Sequence, residues 1–218
     1  MKRRHVTTAL AATPLALAWP LSARAQGAMT EGTQYKRLAQ PVIVTPPPPA
    51  GQVDVVEFFS YACPHCFEFE PVLEAWLQKP HPDVRFRRVP VPFMFNAQNF
   101  QKLYYTMEAM GLVDRLQQKV FDSVHKEHQR LLTPDAIQAF MARNGVDAAK
   151  FMALFNSFAI GVKANHAQQL VTEFNVTSIP TLGVAGRYTT GPAAPAAGGL
   201  PVAVQAVDYL VAQVKAGR

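Results

Sequence analysis

Hydrophobic and polar positions along the chain follow two different periods, and each period predicts a different kind of element. Residues 53–62 (VDVVEFFSYA) are dense in Val and Phe, which predicts a buried central strand in which Glu57 is a misfit. Residues 64–79 carry apolar side chains at roughly helical spacing, and Pro64 suits the first position of a helix because no amide hydrogen is needed there. Basic and apolar residues alternate over 83–93 (DVRFRRVPVPF), which predicts a second strand with one solvated face.

The second half of the chain is predicted to be mainly helical before strand patterning returns. Helices are expected at 97–110, 112–128, 134–144, just after 147, at 160–174 and at 202–215. Residues 179–190 predict two strands joined at Gly186, and residues 42–44 predict one more short strand. This order predicts an α/β fold: a mixed sheet flanked by helices, with a parallel first pair, an antiparallel hairpin and an all-helical insertion.

The amino terminus carries the pattern of a secretory signal peptide. Basic residues at 2–4 precede an apolar stretch at 6–21, and residues 23–25 form an Ala-x-Ala cleavage signature. We therefore expect cleavage after Ala25 and delivery of a soluble mature protein to the periplasm. No later apolar run is long enough to cross a membrane.

Removal of this segment changes the charge of the protein. Four basic residues and no acidic ones leave with residues 1–25, so Lys plus Arg falls from 21 to 17 against 15 Asp plus Glu. The net charge then falls from +6 to about +2. A nucleic-acid-binding protein would keep a large basic excess after processing, so we expect no nucleic-acid partner.

Two cysteines, Cys63 and Cys66, supply the candidate chemistry, and their spacing suits a redox dithiol or half of a metal site. A zinc site of this kind needs four ligands, and these are the only two cysteines in the chain. His125 and His128 stand three residues apart in a predicted helix, but their polar surroundings favour a solvated face. A bridge across so short a loop would stabilise the fold little. The redox interpretation is therefore favoured, with no metal and no cofactor expected.

The position of the pair has a physical logic for redox work. Cys63 immediately precedes a predicted helix, whose free amide groups and positive end stabilise a thiolate. His65 lies between the cysteines and adds hydrogen bonds or positive charge, so we expect a lowered pKa for the Cys63 thiol. Cys66 lies one turn inside the helix and is expected to be the buried, resolving partner.

The segment VVEFFSYACPHCFEFEPVL resembles the active-site segment of the DsbA family of periplasmic thiol oxidants, including its Cys-Pro-His-Cys core. SIPTLGVAGRY is similar to the cis-proline loop of that family. The resemblance implies a thioredoxin fold with an inserted helical domain. It divides the chain into a signal peptide at 1–25, a first thioredoxin-like part at 26–95, the helical insertion at 96–162 and a second thioredoxin-like part at 163–218.

The resemblance also implies roles for particular residues. Cys63 and Cys66, with Pro64 and His65 between them, would form the catalytic motif, and Glu57 would be a buried acid that tunes proton transfer. A carboxyl group in an apolar strand independently predicts a raised pKa for Glu57. Ile179 and Pro180 would form a cis peptide bond that faces the disulfide and binds the substrate backbone.

The activity implied is donation of the Cys63–Cys66 disulfide to exported proteins that carry free thiols. A DsbB-like, quinone-linked membrane protein would restore the disulfide, and we expect the protein itself to be a monomer. Two alternatives stay open: an isomerase or reductase of the same fold, and a peptide-binding chaperone with an inert disulfide. Isomerases of this fold carry a separate dimerisation domain, for which the mature length leaves no room.

Overall fold

A computed structural model describes residues 29–191 and 199–218 of the 218-residue chain. The predicted signal peptide lies outside the described residues. Five strands and seven helices occur in the described part, in the following order along the chain: β1 (Lys36–Arg37), β2 (Val53–Phe59), α1 (Pro64–Leu77), β3 (Val84–Pro90), α2 (Ala97–Ala109), α3 (Val113–His125), α4 (Pro134–Arg143), α5 (Ala148–Phe155), α6 (Phe158–Glu173), β4 (Thr181–Val184), β5 (Tyr188–Thr190) and α7 (Leu200–Lys215).

The five strands form one mixed sheet in the order β1-β5-β4-β2-β3. Strand β2 pairs with β3 in parallel and with β4 antiparallel, and β4 and β5 form an antiparallel hairpin. Ala185 and Gly186 make the hairpin turn with φ angles of 56° and 63°, where glycine has no steric penalty. The mixed α/β sheet predicted from the sequence is confirmed.

The short strand predicted at residues 42–44 is wrong. The edge strand lies earlier, at Lys36–Arg37, and pairs antiparallel with β5. Val42 instead crosses the tip of the hairpin, where its amide donates to the carbonyl of Gly186 at 2.7 Å. A run of three apolar residues indicates that a segment is partly buried. It does not show whether the segment pairs as a β-strand or is held by a single backbone hydrogen bond.

Strand β2 is buried on both faces, as its many Val and Phe residues predict. Val53 and Val55 pack in the cluster that contains residues of α1 and α7. Val56 and Phe58 pack in the larger cluster that contains residues of α2 to α6. Glu57 alternates with Phe58 and therefore belongs to the face covered by α1.

Two helices of the helical block begin at capping residues that the sequence contains. Thr133 and Asp147 accept hydrogen bonds from the backbone amides of Ala136 and Lys150, so α4 and α5 start where predicted. Helix α3 ends at His125, three residues before the predicted end, and His128 has a left-handed φ of 57°. The predicted boundary between residues 162 and 163 lies inside α6, and the division into domains stays a prediction.

Among the helices of residues 29–191 and 199–218, none is both long and apolar enough to cross a membrane.

Candidate active site

The two cysteines lie where strand β2 gives way to helix α1. A turn leads from β2 to Cys63, whose extended backbone (φ −90°, ψ 116°) makes it the N-cap residue of α1. Pro64 occupies the first helical position, where its missing amide hydrogen costs nothing. Cys66 lies in the first turn, and both cysteines are free thiols and buried.

The two thiols have opposite tendencies to ionise. The pKa of Cys63 is lowered to about 6, first by a hydrogen bond from the Cys66 thiol, then by backbone amides of Cys66 and His65 and the charge of His65. The pKa of Cys66 is raised, first by burial and then by the hydrogen bond and the charge of Cys63. At neutral pH the pair therefore contains one thiolate, on Cys63, and one thiol, on Cys66.

His65 lies on the exposed side of the motif. Its side chain is 76% exposed and its Nδ1 lies 3.1 Å from Oε2 of Glu68. This hydrogen bond and the carboxylate charge raise the pKa of His65, and the Cys63 thiolate adds to the effect. These contacts favour the charged form of His65, and that charge contributes to the lowered pKa of Cys63.

We predict that reduced protein titrates at Cys63 with a midpoint near pH 6, because Cys66 and the first-turn amides stabilise the thiolate. Thiolate absorbance in the ultraviolet, followed against pH, measures this midpoint. In a Cys66→Ala variant the midpoint should rise, since the hydrogen bond with the largest effect is removed. A midpoint near that of free cysteine in the unaltered protein would contradict the assignment.

Glu57 is fully buried in β2, and it is held by an arginine that the sequence analysis did not single out. The register of β2 and β3 places Glu57 opposite Arg88, and Nε of Arg88 donates to Oε2 of Glu57 at 2.9 Å. The same guanidinium donates to Glu70 at 3.1 Å and to Glu74 at 2.6 Å, both on α1. Three carboxyl groups thus surround one buried cation.

Burial favours the protonated form of two carboxyl groups in this cluster. Burial is the largest effect on Glu57 and on Glu70 and raises the pKa of each, whereas Arg88 lowers both. One carboxylate oxygen of each residue, Oε1 of Glu57 and Oε2 of Glu70, has no hydrogen-bond partner in the described structure. These raised pKa values mean that the cluster can hold a proton near the cysteines.

The solvated face predicted for RFRR at residues 85–88 is therefore wrong. Arg88 is only 6% exposed. Arg85 and Arg87 both bind the buried carboxylate of Asp54, on the other face of β2. Each of the three arginines neutralises a buried acid rather than facing water.

Ile179 lies against the cysteine pair, as the resemblance implies. The Ile179–Pro180 peptide bond is cis. The carbonyl oxygen of Ile179 lies 3.8 Å from Sγ of Cys63, within the distance of a weak thiol hydrogen bond. Among the described residues, no backbone acceptor is found for the amide of Ile179.

Two exposed aromatic side chains follow strand β3. Phe93 and Phe95 are 46% and 69% exposed. Because β2 and β3 are parallel, the segment after Pro90 lies at the same edge of the sheet as the segment that contains Cys63. The pattern of residues 83–93 predicts a strand that prolines end, and the sequence VPFMF does not indicate that its aromatic side chains are exposed.

Comparisons with known proteins agree with this geometry. A family model described as "DSBA-like thioredoxin domain" matches residues 54–198. A thiol:disulfide interchange protein DsbA of Burkholderia cepacia is 38% identical over 201 residues, which cover 92% of this chain and 93% of the relative. One from Pseudomonas aeruginosa is 38% identical over 189 residues, covering 86% of each chain.

Solved structures show the same likeness. The crystal structure of Pseudomonas aeruginosa DsbA superimposes with a TM-score of 0.80 at 36% identity, covering 87% of this chain and 96% of that one. The oxidoreductase DsbA of Xylella fastidiosa gives a TM-score of 0.77 at 28% identity, covering 86% of this chain and 98% of that one. The thioredoxin fold with a helical insertion is confirmed.

Proposed function

The chain belongs to the family of DSBA-like thioredoxin domains, and we propose that its Cys63–Cys66 disulfide oxidises the thiols of proteins exported to the periplasm. It is a thiol:disulfide oxidoreductase whose redox couple is the CPHC pair. The observation that supports oxidation over reduction is the asymmetry of the two thiols. A stable Cys63 thiolate favours the reduced form and so makes the disulfide a strong oxidant.

The proposed reaction has two steps that balance in electrons and protons. A substrate thiolate attacks Sγ of Cys63, the Cys63–Cys66 bond breaks, and Cys66 leaves and takes up a proton. A second substrate thiolate then attacks the substrate sulfur of the mixed disulfide and releases Cys63 as a thiolate. The substrate loses two electrons and two protons. The protein gains the two electrons and keeps one proton on Cys66, and the other proton goes to the solvent.

Glu57 is proposed to supply that proton. Its charge interacts with that of Cys66, and its raised pKa keeps a proton available in the buried interior. Cys66 itself favours the protonated state because burial raises the pKa of its thiol. Proton delivery from Glu57 would therefore speed the departure of Cys66 in the first step.

Substrate peptides are proposed to bind along the Ile179–Pro180 segment. The amide and carbonyl groups of Ile179 lie beside Cys63 and suit an added extended strand. Phe93 and Phe95 supply exposed apolar surface at the same edge of the sheet. Unfolded proteins expose both backbone and apolar side chains, which is the chemistry that this edge offers.

Oxidised protein mixed with a peptide that carries two reduced cysteines tests the activity directly. We expect the mass of the peptide to fall by two hydrogens while the protein gains two. A glutathione buffer separates the isomerase or reductase alternative. In a buffer that reduces the disulfide of a strong oxidant, the disulfide of an isomerase or reductase would remain intact. A chaperone with an inert disulfide would leave the peptide reduced.

We predict that the stability of the reduced form rises relative to the oxidised form as pH increases, because only the reduced form has a Cys63 thiol to ionise. A lowered folded pKa contributes stability that is present above the unfolded pKa and lost as pH falls through the folded value, here about 6. The relative gain between about pH 5 and about pH 8 should be about 2 kcal/mol.

Urea unfolding of the two forms at several pH values measures this difference. Above neutral pH we expect the reduced form to have the higher midpoint, the reverse of a structural disulfide. A difference between the two forms that does not change with pH would rule out stabilisation of the Cys63 thiolate by the fold.

The location and partners belong to the same proposal. Residues 1–25 have the pattern of a signal peptide, so the mature protein recovered from a periplasmic fraction should begin after Ala25.

A DsbB-like quinone-linked membrane protein is proposed to reoxidise the Cys63–Cys66 pair. Membranes that contain such a protein should restore the disulfide, and membranes without it should not. Sedimentation should show a monomer.

A further inference from the structure

His125, the last residue of α3, contacts the turn that delivers Cys63 to its position. Its Nε2 lies 2.8 Å from the carbonyl oxygen of Tyr61, two residues before Cys63. The polar residues around His125 in the sequence predict a solvated face for this histidine. It is partly buried instead, and its ring nitrogen is directed at the backbone of the active-site loop.

The orientation of the Tyr61–Ala62 peptide depends on two side chains. The amide of Cys63 donates to the carbonyl of Ser60, so residues 60–63 form a tight turn with Tyr61 and Ala62 at its corners. The amide of Ala62 donates to Oγ of Ser60 at 3.2 Å, and His125 binds the carbonyl at the other end of the same peptide. Within the described part of the chain, this carbonyl takes part in no helix or strand ladder.

The ring of His125 also contacts the other side of the cysteine motif. It stacks on the ring of Phe67, with centroids 5.0 Å apart and planes 14° from parallel. Phe67 directly follows Cys66, so His125 contacts the residues that flank both ends of the motif. Gln117, on the same helix, accepts a hydrogen bond from the hydroxyl of Tyr61. Helix α3 thus holds Tyr61 by its backbone and by its side chain.

We propose that His125 is a positioning residue for the redox reaction. By holding the Tyr61 carbonyl and the Phe67 ring, it keeps Sγ of Cys63 within reach of the Cys66 thiol and the first-turn amides. This positioning role rests on the proposed function. The effect of His125 on the Cys63 thiolate, however, exists whether or not exported proteins are the substrate. Nε2 carries a hydrogen in the imidazolium form and in one neutral tautomer, so the contact survives both protonation states.

Two variants separate the parts of this contact. His125→Gln keeps a side-chain donor but loses the ring, whereas His125→Phe keeps a ring to stack on Phe67 but loses the donor. His128→Asn is the control, because His128 is exposed and Asn tolerates its left-handed backbone. All three are measured by the Cys63 titration midpoint, by the equilibrium constant with glutathione and by thermal unfolding.

We expect His125→Phe to raise the Cys63 midpoint and to make the disulfide less oxidising, with the glutathione equilibrium constant changing by about two- to tenfold. His125→Gln should lie nearer to the unaltered protein, and His128→Asn should match it. If His125→Phe lowers the melting temperature but leaves the midpoint and the equilibrium constant unchanged, His125 only stabilises the fold and the proposal is overturned. If His125→Phe shifts the midpoint and the unaltered protein does not oxidise a dithiol peptide, the positioning role stands and the proposed substrate reaction fails.

Discussion

Replacing Cys63 by serine is expected to abolish disulfide donation, because a hydroxyl group cannot form the disulfide that the reaction transfers. Cys63 is the sulfur with the lowered pKa, and the carbonyl of Ile179 in the proposed peptide-binding segment lies beside it. We expect the Cys63→Ser variant to oxidise a dithiol peptide no faster than buffer alone. Mass spectrometry of the peptide after mixing measures this directly.

Cys66→Ser is the matched variant, and its failure should differ in kind. Cys63 remains able to attack a disulfide, but no second sulfur is present to resolve the mixed disulfide that forms. When the peptide is supplied in its disulfide form, Cys63 should attack one sulfur and release the other as a thiolate. Peptide should therefore accumulate on Cys63 and be released by an added reductant. If the two variants behave identically, or if peptide attaches through Cys66 in the Cys63→Ser variant, the roles of nucleophile and resolving thiol have been assigned incorrectly.

The chemistry of the CPHC motif could be predicted because it depends on local structure. A helix start directly after Cys63 follows from Pro64 and the helical spacing behind it, and the stabilisation of a thiolate there follows from helix geometry. Burial of Cys66 follows from its place one turn inside that helix. These inferences need neither strand register nor the packing of distant segments.

The surroundings of Glu57 could not be predicted in the same way. Its burial follows from the apolar strand around it, but its partner depends on the register between β2 and β3. Alternation in RFRR indicates two faces, and the sequence alone does not show that the face of Arg88 is covered by α1. Glu70 and Glu74 lie four residues apart, a spacing equally typical of an exposed helix face.

Contacts made by the helical insertion were also beyond the sequence. His125 binds a carbonyl 64 positions earlier in the chain, and nothing in its polar neighbourhood distinguishes it from His128. Such contacts depend on how α3 packs against the sheet domain. The sequence pattern correctly predicted a helix over residues 113–125, but it wrongly predicted a solvent-exposed side chain for His125.

Replacing Arg88 by methionine is expected to lower the free energy of unfolding by about 3–5 kcal/mol at neutral pH, since it removes the cation that binds the buried carboxyl groups of Glu57 and Glu70. Arg87→Met is the matched control on the same strand. Its partner, Asp54, keeps a second arginine, Arg85, so the loss there should be smaller. Urea unfolding of both variants compares them.

The pH dependence identifies the cause of that loss. Arg88 lowers the pKa of Glu57 and of Glu70, so both values rise further above their unfolded values in the variant. An acid with a raised folded pKa contributes stability that is fully present below its unfolded pKa, about 4, and lost as pH rises through the folded value. The stability of Arg88→Met should therefore be closest to that of the unaltered protein near pH 4 and furthest from it in alkaline solution.

Adding Glu57→Gln and Glu70→Gln to Arg88→Met should recover part of the lost stability, because neither buried side chain then needs a cation. A deficit that is the same at every pH, or that the two glutamines do not reduce, would mean that Arg88 stabilises the fold by packing rather than by charge.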